Sequence, residues 1–203
     1  MSERPISDLT LLIPAAGASS RMRGADKLLS EINGVPLLRR TAQRALSAHH
    51  DVCVTLRPQD AARRQALAGL PVKVVTIVDA AQGLSASLRA GAAAVGQSRL
   101  LILPADMPDL TAADLAQMIT ASAEDPDAIL RATAEDGTPG HPVIFPADLV
   151  PAFASLSGDE GARSILQAHK ARIRLIALPG THALTDLDTP EAWAAWRRSK
   201  TAD

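Results

Sequence analysis

Cysteine and aromatic residues are scarce in this sequence. The single cysteine, Cys53, lies in an apolar run, so the chain has no internal disulfide and no cysteine spacing for zinc or an iron–sulfur cluster. We expect Cys53 to be buried as a small hydrophobic side chain. Tyrosine is absent and aromatic residues make up 2% of the chain, which argues against a protein that stacks single-stranded nucleic acid on aromatic rings.

Excess charge and long apolar stretches are also absent. The formal net charge is −1, whereas general nucleic-acid binders and proteins drawn to anionic membranes carry a basic surplus. No stretch approaches the roughly 20 apolar residues of a membrane span, and the N-terminus lacks the pattern of a signal peptide. We therefore expect a cytoplasmic enzyme or binding protein with no nucleic-acid partner and no membrane association.

The length of the chain sets its organisation. The 203 residues suit one α/β domain spanning 1–203, because no repeat, low-complexity tract or linker divides them. A domain of this size can bury a core on its own, and we expect a monomer.

Short apolar runs alternate with amphipathic helical patterns along most of the chain. The runs at 9–14, 52–56, 72–78 and 100–103 predict buried strands, and the helical patterns lie at 36–48, 61–68, 85–95 and 111–122. Thr111 is the expected N-cap of the last of these helices, with Asp114 three residues later. This alternation predicts right-handed crossovers and a parallel sheet with helices on both faces.

In the last third of the chain, single strands and helices no longer alternate regularly. Two predicted strands, 128–133 and 142–145, flank a turn at 135–140 and are close enough to pair antiparallel. A helix at 160–169, a strand at 173–178 and a helix at 189–198 complete the pattern. The predicted fold is therefore α/β, a three-layer Rossmann-like arrangement with a mostly parallel mixed sheet.

The segment after the first strand is rich in small residues and ends in cations. Ala15, Ala16 and Gly17 let backbone N–H groups approach a polyphosphate without side-chain obstruction. Arg21 can grip phosphate oxygens with its planar fork, and Lys27 can supply a point charge. The segment is neither a P-loop nor a dinucleotide fingerprint, because it lacks their spacings. The alternative is a polar loop with solvated cations.

A carboxylate follows the fourth predicted strand. Asp106 lies between Pro104 and Pro108, at a strand end of the kind where open parallel sheets bind ligands. An aspartate there can hold Mg²⁺, which keeps several waters and takes other ligands from substrate phosphates. The alternative is a cap for the following helix, a role that Asp109 and Thr111 fill better.

Polar groups also precede two helices. Asp186 and Asp188 point the same way in extended backbone, so both could face one metal site, although Asp188 or Thr189 is also a good N-cap. The stretch 82–88 offers Gly83 and Ser85 to a nucleobase or ribose, although a serine cap explains much of it.

Two further turns carry polar side chains. Arg163 follows a glycine-rich turn and could clamp an anionic acceptor. His141, between Gly140 and Pro142, could act as a general base, although a lone loop histidine is more often structural.

Together these motifs resemble the MobA-like nucleotidyltransferases, most closely the molybdenum-cofactor cytidylyltransferases. The resemblance runs from Leu11 to about residue 196, and six motifs occur in the family's order. They are Ile-Pro-Ala-Ala-Gly at 13–17 with Arg-Met at 21–22 and Lys27, Gly-Leu-Ser-Ala-Ser-Leu at 83–88, Asp-Met-Pro at 106–108, Gly-His-Pro at 140–142, Gly-Asp-Glu-Gly-Ala-Arg at 158–163 and Asp-Leu-Asp-Thr-Pro at 186–190. Pro14 stands where the family usually has Leu, and Arg23 stands where Gly usually follows Arg-Met. The loop geometry could therefore differ, or Arg23 could add a phosphate contact.

The resemblance implies a nucleotide-diphospho-sugar transferase fold and Mg²⁺-dependent transfer of a nucleoside monophosphate from an NTP to a phosphorylated acceptor. Lys27 and Mg²⁺ on Asp106 would stabilise charge at the α-phosphate. Arg21 would hold the leaving pyrophosphate, and Asp188 or Asp186 would complete the metal site.

The resemblance also implies a nucleotide and an acceptor. The expected nucleotide contacts are Ala15, Ala16, Gly17, Ser19, Gly83 and Ser85. Guanylyl relatives carry a second Gly in place of Ala16, so the favoured nucleotide is CTP. The implied acceptor is molybdopterin, with a molybdoenzyme as a further partner.

Other functions remain open at this stage. The same chemistry would serve an enzyme that activates a sugar or polyol phosphate. A different class is a non-catalytic nucleotide- and cofactor-binding chaperone for a molybdoenzyme, which would need no complete pair of metal carboxylates. Release of pyrophosphate separates a catalyst from a chaperone.

Overall fold

The computed structural model describes residues 8–79, 83–96, 98–159 and 161–200. The strands in these residues are β1 (Leu9–Pro14), β2 (Glu31–Ile32), β3 (Val35–Pro36), β4 (Val52–Leu56), β5 (Lys73–Thr76), β6 (Arg99–Ile102), β7 (Ile129–Thr133), β8 (Pro139–Phe145) and β9 (Ile173–Ala177). The α-helices are α1 (Leu37–Ala48), α2 (Ala61–Ala66), α3 (Leu84–Val95), α4 (Ala112–Glu124), α5 (Arg163–Ala168) and α6 (Pro190–Lys200).

Seven strands form one mixed sheet in the order β5-β4-β1-β6-β8-β7-β9. Strands β5, β4, β1 and β6 are parallel, β8 runs antiparallel to both β6 and β7, and β9 is parallel to β7. The predicted mostly parallel mixed sheet and the antiparallel pairing of β7 with β8 are confirmed. The chain leaves β1 toward β4 and β5 on one side and returns to β6 on the other. This reversal opens a crevice beyond the carboxyl ends of β1 and β6.

Helices cover both faces of the sheet because the central strands are apolar on both. Leu11 and Ile13 of β1 face one core with α1 and α4, whereas Leu12 faces a second core with α3 and the 3-10 helix Ala147–Ser155. Helix α4 begins with the predicted cap, in which Thr111 and Asp114 each bind the other's backbone N–H. Cys53 of β4 lies in the second core, and burial raises its thiol pKa to about 11.

A third, smaller core positions the end of the chain. Met22, Ile32, Leu37, Leu187 and Trp193 pack together. This cluster attaches α6 and the segment before it to the loop that follows β1. Among the described residues, no helix is long and apolar enough to cross a membrane.

Several predicted boundaries were wrong by one to three residues. The strand predicted at 142–145 begins at Pro139, and β5 is shorter than the predicted 72–78. Helix α5 spans six residues rather than 160–169, and residue 160 lies outside the described residues.

The β2–β3 hairpin was not predicted. Its turn residues Asn33 and Gly34 both have positive φ, 54° and 76°, which is the backbone of a type I′ turn. The Asn-Gly dipeptide was an available signal, but the two-residue strands beside it give no periodicity.

Candidate active site

A cleft of about 1480 Å³ opens at the carboxyl ends of β1 and β6. Its lining includes Arg21, Lys27, Asp106 and Asp188, which come from three distant parts of the chain. Sequence analysis expected these residues to converge, and the structure brings them together. The cleft lies at the reversal of strand order, where open α/β sheets bind ligands.

The Lys27 ammonium bridges two carboxylates at the floor of the cleft. Nζ donates to Oδ2 of Asp106 and to Oδ1 of Asp188, each at 2.5 Å. The three side chains are 16%, 17% and 20% exposed, so they are shielded from bulk water while still open to the cleft. One cation therefore already contacts both carboxylates.

Asp188 reaches Asp106 because the backbone before α6 docks on the loop after β6. The N–H of Leu187 donates to the carbonyl oxygen of Asp106 at 3.1 Å, and the Leu187 side chain is buried in the third core. The Asp188 carboxylate is thus fixed by its neighbour's packing. Its other oxygen, Oδ2, accepts from Nη1 of Arg21 at 2.6 Å. The Arg21 side chain is 69% exposed, so it lies at the mouth of the cleft.

The charges in this group shift one another's pKa values. Burial opposes the charged form of Lys27, but the attraction of Asp106 and Asp188 outweighs it, and the pKa of Lys27 lies above its usual value. Burial likewise opposes ionisation of Asp188, yet Lys27 and Arg21 hold its pKa below the usual value. Lys27 and Asp188 are therefore both charged near neutral pH.

Asp186 differs from Asp188 in its environment. Partial burial, followed by the negative charges of Asp188 and Asp106, raises the pKa of Asp186. Asp186 does not line the cleft. Within the described residues, no three His, Cys, Asp or Glu side chains are grouped as a metal site. The geometry thus favours Asp188 over Asp186 as the partner of Asp106.

Only some of the predicted nucleotide contacts in the loop after β1 line the cleft. Ala16 and Gly17 line the cleft. Ala15 is buried, and its N–H already donates to the carbonyl oxygen of Thr55 at 3.1 Å. The Ser19 hydroxyl donates to Oδ1 of Asp26 at 3.3 Å. Ala15 and Ser19 therefore support the loop and do not line the cleft, so their predicted nucleotide contacts have no support from this geometry.

The predicted contacts at the start of α3 also differ in whether they line the cleft. Gly83 lines the cleft at φ 78°, and a Cβ there would lie 2.0 Å from Oδ1 of Asp159, so the turn requires glycine. Ser85 is fully buried, and its hydroxyl donates to the carbonyl oxygen of Ser157 at 3.0 Å. Ser85 thus anchors α3 and does not line the cleft, and its predicted nucleotide contact has no support from this geometry. Gln82, in the same predicted stretch, lies outside the described residues.

The two departures from the family motif are both accommodated. Pro14 ends β1 and lines the cleft beside Ala16. Arg23 has φ 52°, a left-handed conformation that favours glycine, and its Nη2 pairs with Oε1 of Glu191 at 2.6 Å. The Arg23 side chain is thus directed to α6 rather than to the cleft, where a phosphate contact had been considered.

Further basic residues line the cleft besides Arg21 and Lys27. Arg131, Arg163 and Lys170 line it together with His141. Nδ1 of His141 is buried and, among the described residues, has no hydrogen-bond partner. Burial, with the positive charge of Arg131, lowers the pKa of His141, so its imidazole is neutral near pH 7.

Arg63, which lies beneath the loop after β1, was not predicted as a residue of the site. Its side chain is 2% exposed and its guanidinium donates to Asp26, Ser19 and the carbonyl oxygens of Ala15 and Gly17. In the sequence, adjacent arginines in a short helix indicate a solvated surface. No local pattern marks one of them as buried.

The chain is similar to known nucleotidyltransferases over nearly its whole length. The family described as "MobA-like NTP transferase domain" matches residues 11–173. The molybdenum cofactor guanylyltransferase of Serratia proteamaculans is 28% identical over 199 residues, which cover 95% of this chain and 96% of that protein. The enzyme of the same name from Pseudomonas fluorescens is 26% identical over 193 residues, 94% of each.

Solved structures agree with this likeness. Rv0371c of Mycobacterium tuberculosis matches with a TM-score of 0.79 and 26% identity, covering 94% of this chain and 98% of that one. Its complex with manganese matches with a TM-score of 0.78 and 25% identity, covering the same shares of the two chains.

The fold and the cleft define an α/β nucleotidyltransferase of the nucleotide-diphospho-sugar transferase type. The chain belongs to the MobA-like NTP transferase family. The predicted family and enzyme class are therefore confirmed. The relatives are named for guanylyl transfer, whereas the sequence pattern predicts cytidylyl transfer, so the nucleotide stays a prediction.

Proposed function

We propose that this protein catalyses the Mg²⁺-dependent transfer of a nucleoside monophosphate, CMP in preference, from an NTP to the phosphate of molybdopterin, with release of pyrophosphate. The observation that carries the proposal is the convergence of Lys27 with the carboxylates of Asp106 and Asp188 in one cleft. The acceptor is supported by relatives that are named molybdenum cofactor guanylyltransferases.

Asp106 and Asp188 fit a divalent cation. Carboxylate oxygens are the donors that Mg²⁺ and Mn²⁺ prefer, and both carboxylates already contact one cationic atom, Nζ of Lys27. Two protein ligands suffice, because Mg²⁺ keeps waters and takes phosphate oxygens from its nucleotide. When bound, the ion would neutralise charge on the triphosphate. The manganese complex of Rv0371c supports a divalent ion in a related structure.

The chain's own residues fit the charge that develops during transfer. An anionic oxygen of the acceptor phosphate forms a bond to the α-phosphorus, while the bond from that phosphorus to the bridging oxygen breaks. The electron pair leaves with pyrophosphate. Lys27 lies at the floor of the cleft for charge on the α-phosphate, and Arg21 lies at its mouth for the leaving pyrophosphate. Since the attacking oxygen is already ionised, positioning and charge neutralisation dominate.

The other basic residues that line the cleft suit a phosphorylated acceptor. Arg131, Arg163 and Lys170 provide three cations, and neutral His141 adds a ring nitrogen that can bind a polar group. These cations line the same cleft as Arg21 and Lys27, so we expect nucleotide and acceptor to bind in it together. The same cations would also bind a sugar or polyol phosphate, which remains the alternative acceptor.

The preference for CTP rests on Ala16. Ala16 is 5% exposed, packs with Ile77 and Ala86, and lines the cleft together with Ile77. A side chain there leaves less room for a purine than glycine would. The guanylyl names of the relatives make GTP the competing nucleotide.

The test is pyrophosphate release by the purified protein with each of the four NTPs, Mg²⁺ and a molybdopterin source, followed by mass spectrometry of the product. We expect CMP-molybdopterin as the product, and CTP as the only one of the four NTPs that gives pyrophosphate release above background. A product formed only with a sugar or polyol phosphate would replace the acceptor, and one formed with GTP would replace the nucleotide. Binding of CTP with no release under any condition would favour the cofactor-binding chaperone.

A further inference from the structure

Arg63 is one of the most deeply buried charged side chains in the described residues. It lies on α2, is 2% exposed and does not line the cleft. A buried guanidinium is costly unless its N–H groups find acceptors, and here Nη1 donates to the carbonyl oxygens of Ala15 at 2.6 Å and Gly17 at 2.8 Å.

The rest of the guanidinium holds the other end of the same loop. Nε donates to Oδ2 of Asp26 at 2.7 Å and Nη2 donates to Oδ1 at 2.9 Å, which is a bidentate pair. Asp26 in turn accepts from the N–H of Leu28 at 3.0 Å and immediately precedes Lys27. Arg63 therefore fixes both the beginning of the loop and the turn that carries Lys27.

The hydrogen bonds from Arg63 to these carbonyl oxygens also determine the direction of the N–H groups that follow them. In a planar trans peptide the carbonyl of one residue and the N–H of the next point in opposite directions. The cis bond in the described residues is at His141–Pro142, so the loop peptides are trans. Because the carbonyls of Ala15 and Gly17 point to Arg63, the N–H groups of Ala16 and Ala18 point away from it. Ala16 and Ala18 line the cleft, whereas Arg63 does not.

We infer that Arg63 is a positioning residue that presents the N–H groups of Ala16 and Ala18 to the nucleotide. Successive backbone N–H groups aimed into a concavity form an anion site. The inference rests on the proposed function, in which this loop receives an NTP. Arg63 does not touch the substrate and acts through the loop alone.

The test compares Arg63→Lys with Arg64→Lys. Lysine keeps the charge but cannot form the planar fork, whereas Arg64 is exposed and donates to Thr76 at 3.3 Å outside the loop. Calorimetric Kd values for CTP and GTP with Mg²⁺ are measured together with kcat and both KM values. We expect Arg63→Lys to raise the Kd and KM for the nucleotide about tenfold or more with the acceptor KM unchanged, and Arg64→Lys to match the wild type.

A folded Arg63→Lys protein with wild-type nucleotide Kd would overturn the inference, and so would an equal rise in both KM values. Should Arg63→Lys fail to fold, Asp26→Asn keeps the guanidinium and weakens its bidentate partner. A severalfold rise in nucleotide Kd then supports the inference, and an unchanged Kd contradicts it. Wild-type protein that binds no NTP would instead refute the proposed function.

Discussion

The backbone N–H of Leu187 donates a hydrogen bond to the carbonyl oxygen of Asp106. This bond brings the segment before α6 onto the loop after β6, and with it the Asp188 carboxylate onto Lys27. Backbone pairing and the burial of Leu187 thus bring the two carboxylates of the candidate metal site together. Without Lys27 these carboxylates would repel each other.

Replacing Lys27 by methionine should separate metal binding from catalysis. Lys27 occupies the position between Asp106 and Asp188, so its ammonium competes with a free divalent ion. We expect Lys27→Met to bind Mn²⁺ more tightly than the wild type in the absence of nucleotide, measured by the paramagnetic resonance of free Mn²⁺. Pyrophosphate release should fall by about 100-fold or more, because a fixed charge near the developing anion is lost.

The matched control for this change is Lys73→Met. Lys73 is an exposed residue of β5 whose ammonium donates to the carbonyl oxygen of Ala94, away from the cleft. Its Mn²⁺ affinity and rate should equal those of the wild type. Weaker Mn²⁺ binding by Lys27→Met would show that the lysine supports the metal site rather than competing for it.

Removing the methyl group of Ala16 should shift the choice of nucleotide. In Ala16→Gly the wall of the cleft gains room for a purine, and we expect the ratio of kcat/KM for CTP over GTP to fall about tenfold or more. The control is Ala25→Gly in the same loop, which adds the same backbone freedom at an exposed position that does not line the cleft and should leave the ratio unchanged. A constant ratio in Ala16→Gly would mean that base choice lies elsewhere.

Arg23 should be dispensable for the reaction. Its left-handed backbone costs a non-glycine residue about 1 to 2 kcal/mol, whereas its solvent-exposed ion pair with Glu191 contributes little stability. We therefore expect Arg23→Gly to keep the free energy of unfolding within about 1 kcal/mol of the wild type and to release pyrophosphate at the wild-type rate. A tenfold slower rate would indicate a phosphate contact.

The free energy of unfolding should depend on the ionisation of Cys53 at alkaline pH. Its folded-state pKa is raised from 9.0 to about 11 by burial, so the folded protein holds the thiol proton more tightly than the unfolded chain. This contribution to stability is complete below pH 9.0 and is lost as the pH rises toward about 11. The free energy of unfolding should therefore fall more steeply in this window for the wild type than for Cys53→Ala. At pH 8 the native thiol should resist thiol reagents that modify it after unfolding. Parallel profiles for the two proteins would contradict the shift.

The sequence allowed the fold and the location of the site to be predicted because both depend on local patterns. Buried strands are apolar runs, and the loops after β1 and β6 carry their polar residues at the same edge of the sheet. The bridge from Lys27 to Asp106 and Asp188 spans 79 and 161 residues, so its geometry depends on tertiary packing.

The sequence could not show which of two plausible roles some polar residues take. Ser85 and Ser19 have hydroxyl groups that suit a nucleotide, but each finds a protein partner that the sequence does not reveal. Arg63 was missed for the opposite reason, because arginine is rarely buried and the helix that carries it is only six residues long.

The central claim, that Asp106 and Lys27 serve nucleotidyl transfer, is tested most directly by pyrophosphate release in Asp106→Asn. This change keeps the shape of the side chain and removes its charge. The control is Asp109→Asn, in the same loop, where the carboxylate pairs with Lys200 at 2.9 Å outside the cleft. We predict that Asp106→Asn lowers NTP-dependent pyrophosphate release by about 100-fold or more while Asp109→Asn retains the wild-type rate. Release by Asp106→Asn at the wild-type rate, with Mn²⁺ affinity unchanged, would contradict the account.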